Sequence, residues 1–173
     1  MRLLSSIAVV TLAAAALAAC QPEAAANDRK GPAGEAAHIP IAANDFQTPV
    51  DLVETLYAEP AIPAEPAAIR RFFVEEMVPG MTQPEDDVGL IDFDYRIGGQ
   101  DGEARNLRVE EVAGGPNGGV VVARFDNYEA QEVTWTVCRQ PDGRLRIVEV
   151  SSNRGEGWSI RQVLGLPPRG PGC

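Results

Sequence analysis

The feature that most restricts the fold is a series of tight-turn dipeptides that separate segments of alternating apolar residues. Asn117-Gly118 and Asp142-Gly143 are typical of two-residue hairpin turns, because such turns require positive φ angles that these residues tolerate. Asp126-Asn127 indicates a third turn, and Gly98 to Gly102 indicates a looser connection. Segments joined by hairpins pair side by side in opposite directions, so this part of the chain is predicted to form an antiparallel sheet.

Alternation of apolar and polar residues between these turns predicts five strands. They are Leu90 to Ile97, Ala104 to Val112, Gly119 to Asp126, Glu129 to Arg139 and Arg144 to Ser151. Apolar side chains two residues apart share one face of a strand, and that face is expected to be buried. The residues that mark this face are Val121, Ala123, Phe125, Val133, Trp135 and Val137.

Helical patterns are found before and after the predicted strands. Thr48 and Pro49 favour a helix start, and a second helix is predicted from Pro66 to Met77 by its apolar stripe. Trp158 to Gly165 forms a third, short pattern with Ser159 in the capping position. The sequence therefore predicts an α+β fold, with N-terminal helices packed on a curved antiparallel sheet of four to five strands and a short C-terminal helix.

The first residues of the chain have the form of an export signal. Arg2 precedes an apolar run from Ile7 to Ala19, which is shorter than the roughly 20 residues that a membrane-spanning helix needs. The run ends in Leu17-Ala18-Ala19-Cys20, which resembles the lipobox of bacterial lipoproteins. This resemblance implies cleavage before Cys20, a thioether-linked diacylglycerol on the Cys20 sulfur and an acyl chain such as palmitate on the new N-terminus, which would anchor the protein in the cell envelope on the periplasmic side. Gln21 follows Cys20, and the lack of Asp at this position resembles lipoproteins of Gram-negative bacteria that are sent to the outer membrane, so the resemblance favours that membrane.

The chain is divided into four segments by its composition. Residues 1–19 are the predicted signal peptide, 20–44 a flexible tether rich in Ala with few large apolar residues, 45–166 a single domain, and 167–173 a tail. His38 lies in the tether and is given no role. In an oxidising compartment Cys138 and Cys173 are expected to form a disulfide; the alternative is a buried free Cys138 with an unpaired Cys173.

Several classes of function find little support in the composition. The single histidine leaves no material for a Ser-His or Cys-His relay within the domain. A formal net charge of −10 without a basic cluster argues against nucleic acid, which requires a positive surface. Glu85-Asp86-Asp87 lacks the regular ligand spacing of a calcium loop, and the paired glycines are assigned to hairpins. No metal and no cofactor is therefore predicted.

Carboxylates are the remaining candidates for chemistry, since acids in an apolar cavity acquire raised pKa values suited to proton transfer. The candidate side chains are Asp92, Asp94 and Glu149 as general bases, Arg124 and Arg161 as ion-pair or ligand-binding partners, and Tyr95 and Tyr57 as hydrogen-bond donors. Glu149 is predicted to share a buried face with Leu145 and Ile147, with Arg124 as its partner, and Arg161 to anchor Asp92 or Asp94. The structural alternative is that these groups form internal ion pairs or face solvent.

The order of these motifs resembles the bacterial domain-of-unknown-function family 3828 over most of residues 48–165. The segments that carry the resemblance are Leu90-Ile91-Asp92-Phe93-Asp94 with Gln100-Asp101, Val120 to Asn127, Arg146 to Val150, and Trp158-Ser159-Ile160-Arg161. The resemblance implies a cone of the nuclear transport factor two-like fold, a shape that often encloses an open cavity. The family is also similar in outline to periplasmic immunity proteins that block amidase effectors of type VI secretion.

Two classes of function stay open at this point. The first is a lipid-anchored periplasmic binding module for an envelope protein or a small ligand, of which an immunity protein is one version. The alternative is a cavity enzyme of the isomerase or dehydratase type that uses a buried carboxylate. The sequence favours the first, because it contains no recognisable nucleophile–base pair, metal cluster or cofactor loop.

Overall fold

The computed structural model of the chain describes residues 46–82, 89–169 and 172–173. Five strands form one antiparallel sheet in which neighbours in sequence are neighbours in space. The strands are β1 Arg105–Gly115, β2 Gly118–Asn127, β3 Glu129–Arg139, β4 Leu145–Ser152 and β5 Trp158–Ser159. The predicted α+β class and four of the five predicted strands are therefore confirmed. The predictions for the signal peptide, Cys20, the tether, His38 and Glu85-Asp86-Asp87 lie outside the described residues.

The helices are short and stand mainly before the sheet. They are α1 Pro49–Ala58, α2 Pro66–Phe72, a 3-10 turn at Glu75–Met77, α3 Val78–Met81 and, after the sheet, α4 Ile160–Val163. Thr48 Oγ1 caps α1 by accepting from the backbone N–H of Asp51 at 3.0 Å. Ser159 Oγ caps α4 in the same way, at 3.3 Å from the backbone nitrogen of Gln162. Across the described ranges, every helix is too short or too polar to cross a membrane.

The first predicted strand, Leu90 to Ile97, is wrong. This segment is a turn in which the backbone N–H groups of Ile97 and Gly98 both donate to the carbonyl oxygen of Asp94. The alternation that suggested a strand has another cause, because Ile91, Tyr95 and Ile97 insert into the core from the turn. The fifth strand is instead the two-residue β5, which pairs with the end of β4.

The second predicted helix ends at Phe72 and does not continue to Met77. Phe73 leaves helical geometry at φ −110° and ψ 158°, and its backbone forms a parallel bridge to Ile147 of β4. The backbone nitrogen of Val74 donates to the carbonyl oxygen of Ile147 at 3.1 Å. The predicted apolar stripe is nevertheless buried as a whole, since the extended residues and the 3-10 turn keep Phe73 and Met77 on the core side.

The core lies between α1 and one face of the sheet. All six residues predicted to mark the buried face are at most 4% exposed. Leu52, Val53 and Leu56 of α1 are fully buried against this face. Burial of this size, at about 25 cal/mol per Å² of apolar surface, is the main source of stability for such a domain.

Candidate functional site

Aromatic side chains fill the space between α1 and the sheet. The ring of Trp135 on β3 lies 5.7 Å from that of Tyr57 on α1 and 6.3 Å from that of Tyr95. Tyr57 also contacts Phe125 of β2 at 6.1 Å between ring centroids. The family resemblance implied a cone with an open cavity. In the structure, the described side chains on this side of the sheet pack together as a core.

Neither tyrosine is suited to proton transfer near neutral pH. Burial raises the pKa of Tyr57 and of Tyr95 well above the ordinary value, so both hydroxyls stay protonated. The hydroxyl of Tyr57 donates to the backbone carbonyl of Arg96 at 2.6 Å. The hydroxyl of Tyr95 is buried and has no hydrogen-bond partner within the described part of the chain.

Asp92 and Asp94 do not point the same way from a strand, because the segment that carries them is a turn. Asp92 is exposed. Asp94 accepts two hydrogen bonds from the guanidinium of Arg96, at 3.0 Å from Nε and 2.7 Å from Nη2. Burial disfavours the charge of Arg96, but its hydrogen bonds to Asp94 and the carboxylate's charge outweigh this and raise the pKa of the guanidinium. Asp94 is thus the partner of a structural cation.

Arg96 also joins the turn to the C-terminal end of α1. Its Nη1 donates to the carbonyl oxygen of Glu59 at 2.7 Å and to that of Leu56 at 3.4 Å. The carbonyl of Glu59, the C-cap residue, is one that a helix end leaves without an intrahelical donor, whereas the carbonyl of Leu56 also accepts from the backbone N–H of Glu59 at 3.3 Å. Arg96 was not among the predicted site residues, and no sequence signal marks it beyond the nearby Asp94.

Glu149 does not enter the core, contrary to the prediction. The register between β3 and β4 shifts at Val148, so that Ile147 lies opposite Val137 while Glu149 lies opposite Thr136. This extra residue reverses the alternation of faces, as a β-bulge does. The consecutive apolar residues Ile147-Val148 are the sequence signal that could have indicated it.

The carboxylate of Glu149 is satisfied by neighbouring groups at the start of α4. Its Oε2 accepts from the Ser159 hydroxyl at 2.9 Å, and its Oε1 accepts from the backbone N–H of Arg161 at 3.3 Å and from that of Val150 at 2.9 Å. A negative charge at this position suits the free N–H groups of a first helical turn. The arrangement supports an architectural role, and Arg124 is not its partner.

Arg161 anchors a carboxylate, but the carboxylate is neither Asp92 nor Asp94. Its side chain is 6% exposed, and Nη1 lies 2.5 Å from Glu76 Oε1 in the 3-10 turn. Nε donates to the carbonyl oxygen of Pro167 at 2.7 Å. Arg161 therefore ties together the segment before α3 and the chain after α4, which leaves it little freedom to bind a ligand.

Arg124 lies on the opposite face of the sheet from the core. It ion-pairs with Glu132 of β3 at 2.8 Å and with Glu110 of β1, and all three side chains are about half exposed. Arg108 of β1 lies directly opposite Arg124 in the strand register. We call Arg108, Glu110, Arg124 and Glu132 the outer charged row. An open groove beside it is lined by Arg108, Arg124, Glu132 and Arg154.

The edge of the sheet next to this row is exposed. In β1 only Leu107 and Val109 are partly buried, and the other nine residues face solvent. Two register shifts interrupt the pairing of β1 with β2, between Arg105 and Arg108 and between Glu111 and Ala113. No role was predicted for Arg108 or for this edge. The charged residues within an otherwise alternating strand are the signal that could have indicated the edge.

Cys138 and Cys173 form a disulfide, as predicted. The sulfur atoms are 2.06 Å apart and the Cα atoms 5.5 Å apart. The bridge holds the last residue of the chain against β3, where Gly118 leaves room for it: a Cβ atom at Gly118 would lie 3.0 Å from Cys173 Sγ. Disulfides of this kind persist outside the reducing cytosol.

Residues 46–82, 89–169 and 172–173 contain no group of three or more His, Cys, Asp or Glu side chains that could hold a metal ion. The three candidate carboxylates are likewise not brought together: Asp92 faces solvent, Asp94 pairs with Arg96, and Glu149 accepts hydrogen bonds from groups at the start of α4.

Comparison with known proteins gives no family model, no curated protein and no solved structure that matches the chain.

Proposed function

We propose that this protein is a lipid-anchored binding module of the cell envelope, attached through Cys20 and facing the periplasm from the outer membrane. The single observation that carries the binding role is the contrast between the two faces of the sheet. The inner face is packed with buried side chains, whereas the outer face presents the exposed outer charged row and its groove. A site for a partner is therefore best sought on the outer face.

Two further features support the proposed compartment. The Leu17-Ala18-Ala19-Cys20 sequence resembles a lipobox, and acyl chains contribute about 0.8 kcal/mol per buried methylene, so two or three chains hold a protein on a membrane. The Cys138–Cys173 disulfide is the kind of bond expected in an oxidising compartment.

The order of helices followed by an antiparallel sheet supports, at the level of architecture, the proposed relation to the domain-of-unknown-function family 3828 and its cone fold. An immunity-like role is the version of the binding function that this relation suggests. Its partner is a protein, and an exposed surface with charges of both signs suits protein recognition because complementary charges steer and orient the encounter.

The alternative, an isomerase or dehydratase with a buried general base, requires a carboxylate inside a closed apolar pocket. Asp92 is exposed and Asp94 and Glu149 are engaged in ion-pairing and helix capping. No observation within residues 46–82, 89–169 and 172–173 favours this alternative.

Site-directed crosslinking in intact cells tests the binding function. Arg154 lines the outer groove and is replaced by Glu, while the matched control is Arg70→Glu on α2, where Arg70 is also exposed and ion-paired. We expect a defined crosslinked partner with the native chain and with R70E, and its loss with R154E. Equal capture by both variants, or no partner with the native chain, would contradict the proposed outer-face site.

A further inference from the structure

The outer edge of β1 carries a short regular segment between two irregularities. Arg108 to Glu111 pair in register with Arg124 to Val121 of β2, and register shifts adjoin both ends of this segment. On its other side β1 has no neighbouring strand in the sheet that the described residues form. An edge strand presents unpaired backbone N–H and C=O groups that can pair with another strand. The regular segment is thus where an added strand would fit.

The charges of this segment are complementary to those of a second, antiparallel copy of the same segment. Arg108 and Glu110 flank Val109 and lie on the outer face, as their cross-strand neighbours Arg124 and Val122 show. In an antiparallel pair, residues directly opposite each other lie on the same face and interact. If two copies pair about a two-fold axis at Val109, Arg108 of each copy lies opposite Glu110 of the other.

The surroundings of Arg108 favour such an arrangement. Within one copy, Arg108 lies directly opposite Arg124, and like charges in that position are unfavourable. Arg124 is paired with Glu110 and Glu132, whereas Arg108 has no ion-pair partner among the described residues. A carboxylate on the open side of β1 would give the Arg108 guanidinium an ion-pair partner.

The same charges disfavour the neighbouring registers. Moving the two-fold axis by one residue toward the start of β1 places Arg108 opposite Arg108 of the second copy. Moving it one residue toward the end places Glu110 opposite Glu110. Both alternatives bring like charges together on the axis, which is how coiled coils and other repeating structures exclude wrong registers. The charge pattern therefore specifies one register.

We propose that the β1 edge is a homodimer interface, in which two copies of this chain join their sheets through antiparallel β1 strands centred on Val109. The interface goes beyond the binding role of the outer groove, although it shares Arg108 and Glu110 with the outer charged row, and its strength on a membrane rests on the proposed lipid anchor at Cys20. Two copies anchored on one membrane would meet at raised effective concentration, so a short interface suffices.

Disulfide crosslinking of the purified full-length mature chain tests the register. In the proposed dimer the two Val109 Cα atoms are about 4.5–5.5 Å apart, within reach of a disulfide. The Glu111 Cα atoms are about 13 Å apart, four residues along the strand, and out of reach. We expect Val109→Cys to give a covalent dimer on mild oxidation and Glu111→Cys to give none. Equal crosslinking of both, or none by a folded Val109→Cys variant, overturns the proposal.

Charge reversal provides a second test that leaves the core unchanged. By sedimentation of the same purified chain, R108E and E110R should each weaken dimerisation by tenfold or more, and the double variant should restore it because the two charges are exchanged. R105E, on the same strand but outside the regular segment, is the matched control. A monomeric native chain, or a double variant no better than the singles, overturns the proposal. The proposal is also overturned if the Val109→Cys variant, oxidised in cell envelopes, crosslinks only to a different protein.

Discussion

Asp94 and Arg96 form a two-point ion pair, with Arg96 Nη2 2.7 Å from Asp94 Oδ2 and Nε 3.0 Å from Oδ1. Both side chains are mostly buried, at 21% and 12% exposed. Because Arg96 also donates to two carbonyls at the end of α1, this pair fastens the turn before the sheet to the first helix. Asp94, which the sequence suggested as a general base, therefore has a structural role as the ion-pair partner of Arg96.

Replacing Arg96 by Ala should therefore destabilise the fold. The change leaves Asp94 partly buried without its partner and removes donors from the carbonyls of Leu56 and Glu59, so we expect a loss of about 2 kcal/mol in the free energy of unfolding. Chemical denaturation measures it. Arg70→Ala, which breaks the exposed pair with Glu75, is the control and should leave the midpoint unchanged. Equal effects of the two changes would contradict the assigned role of Arg96.

Two substitutions of Glu149 separate the contribution of its charge to stability from that of its hydrogen bonds. Glu149→Ala should cost about 1–2 kcal/mol, because the Ser159 hydroxyl and the Arg161 backbone N–H lose their acceptor. Glu149→Gln keeps an acceptor oxygen and should cost less. Thermal unfolding at neutral pH distinguishes the two variants. An unchanged stability in Glu149→Ala would show that the carboxylate is not a structural element of α4.

Removal of the hydroxyl should lower the stability of the fold at Tyr57 and not at Tyr95. Tyr57→Phe deletes the hydrogen bond to the Arg96 carbonyl and should cost about 1 kcal/mol. Tyr95→Phe removes a buried hydroxyl without a partner in the described structure and should leave stability unchanged or increase it. Equilibrium denaturation in urea compares them. A larger loss for Tyr95→Phe than for Tyr57→Phe would contradict the assignment of the Tyr95 hydroxyl as a buried group without a stabilising partner.

The same tyrosines predict loss of stability in alkali. Burial raises the pKa of both in the folded chain above the ordinary value of about 10, so the unfolded chain loses its protons first as pH rises. Their contribution is fully present below about pH 10 and declines as pH increases beyond it. Denaturation midpoints measured between about pH 8 and 12 should fall above about pH 10, and less steeply in Tyr95→Phe. A flat profile would contradict the burial of these hydroxyls.

Loss of the disulfide should be costly. The chain-entropy relation for a bridge with a sequence separation of 35 gives about 3–4 kcal/mol, and the bridge also holds Cys173 against β3. We expect C138A/C173S, and the native chain in reductant, to unfold at clearly lower denaturant than the oxidised chain. The double variant should be insensitive to reductant. An oxidised chain no more stable than the reduced one would indicate that the bond is not formed in solution.

Local signals in the sequence predicted local structure well. Hairpins form where Asn117-Gly118 and Asp142-Gly143 predicted them, but the loops differ: the first is Pro116-Asn117, with Gly115 opposite Gly118, and the second is Pro141 to Gly143, closed by a hydrogen bond from the Gln140 backbone N–H to the Arg144 carbonyl. The caps at Thr48 and Ser159 are present as predicted, because each depends on the backbone preferences of a few adjacent residues. The predicted Cys138–Cys173 disulfide also forms.

Errors arose where tertiary contacts decide. The turn that contains Tyr95 and Ile97 alternates like a strand, but its apolar residues are buried by packing against the core. The bulge at Val148 turns Glu149 away from the core. The prediction for Glu149 assumed that side chains alternate strictly between the two faces of β4, and the extra residue of the bulge breaks that alternation. The ion-pair partner of Arg161 lies 85 residues earlier, at Glu76, which spacing along the chain does not reveal.

The proposed function requires the domain to work outside the cytoplasm on a lipid anchor at Cys20. Intact-mass spectrometry of the protein extracted from cell envelopes without reduction tests this most directly. The predicted result is a chain that begins at Cys20, carries two or three acyl chains and contains the Cys138–Cys173 bond. A cytosolic, unacylated chain that retains Met1 and has free thiols at both positions would contradict the proposal.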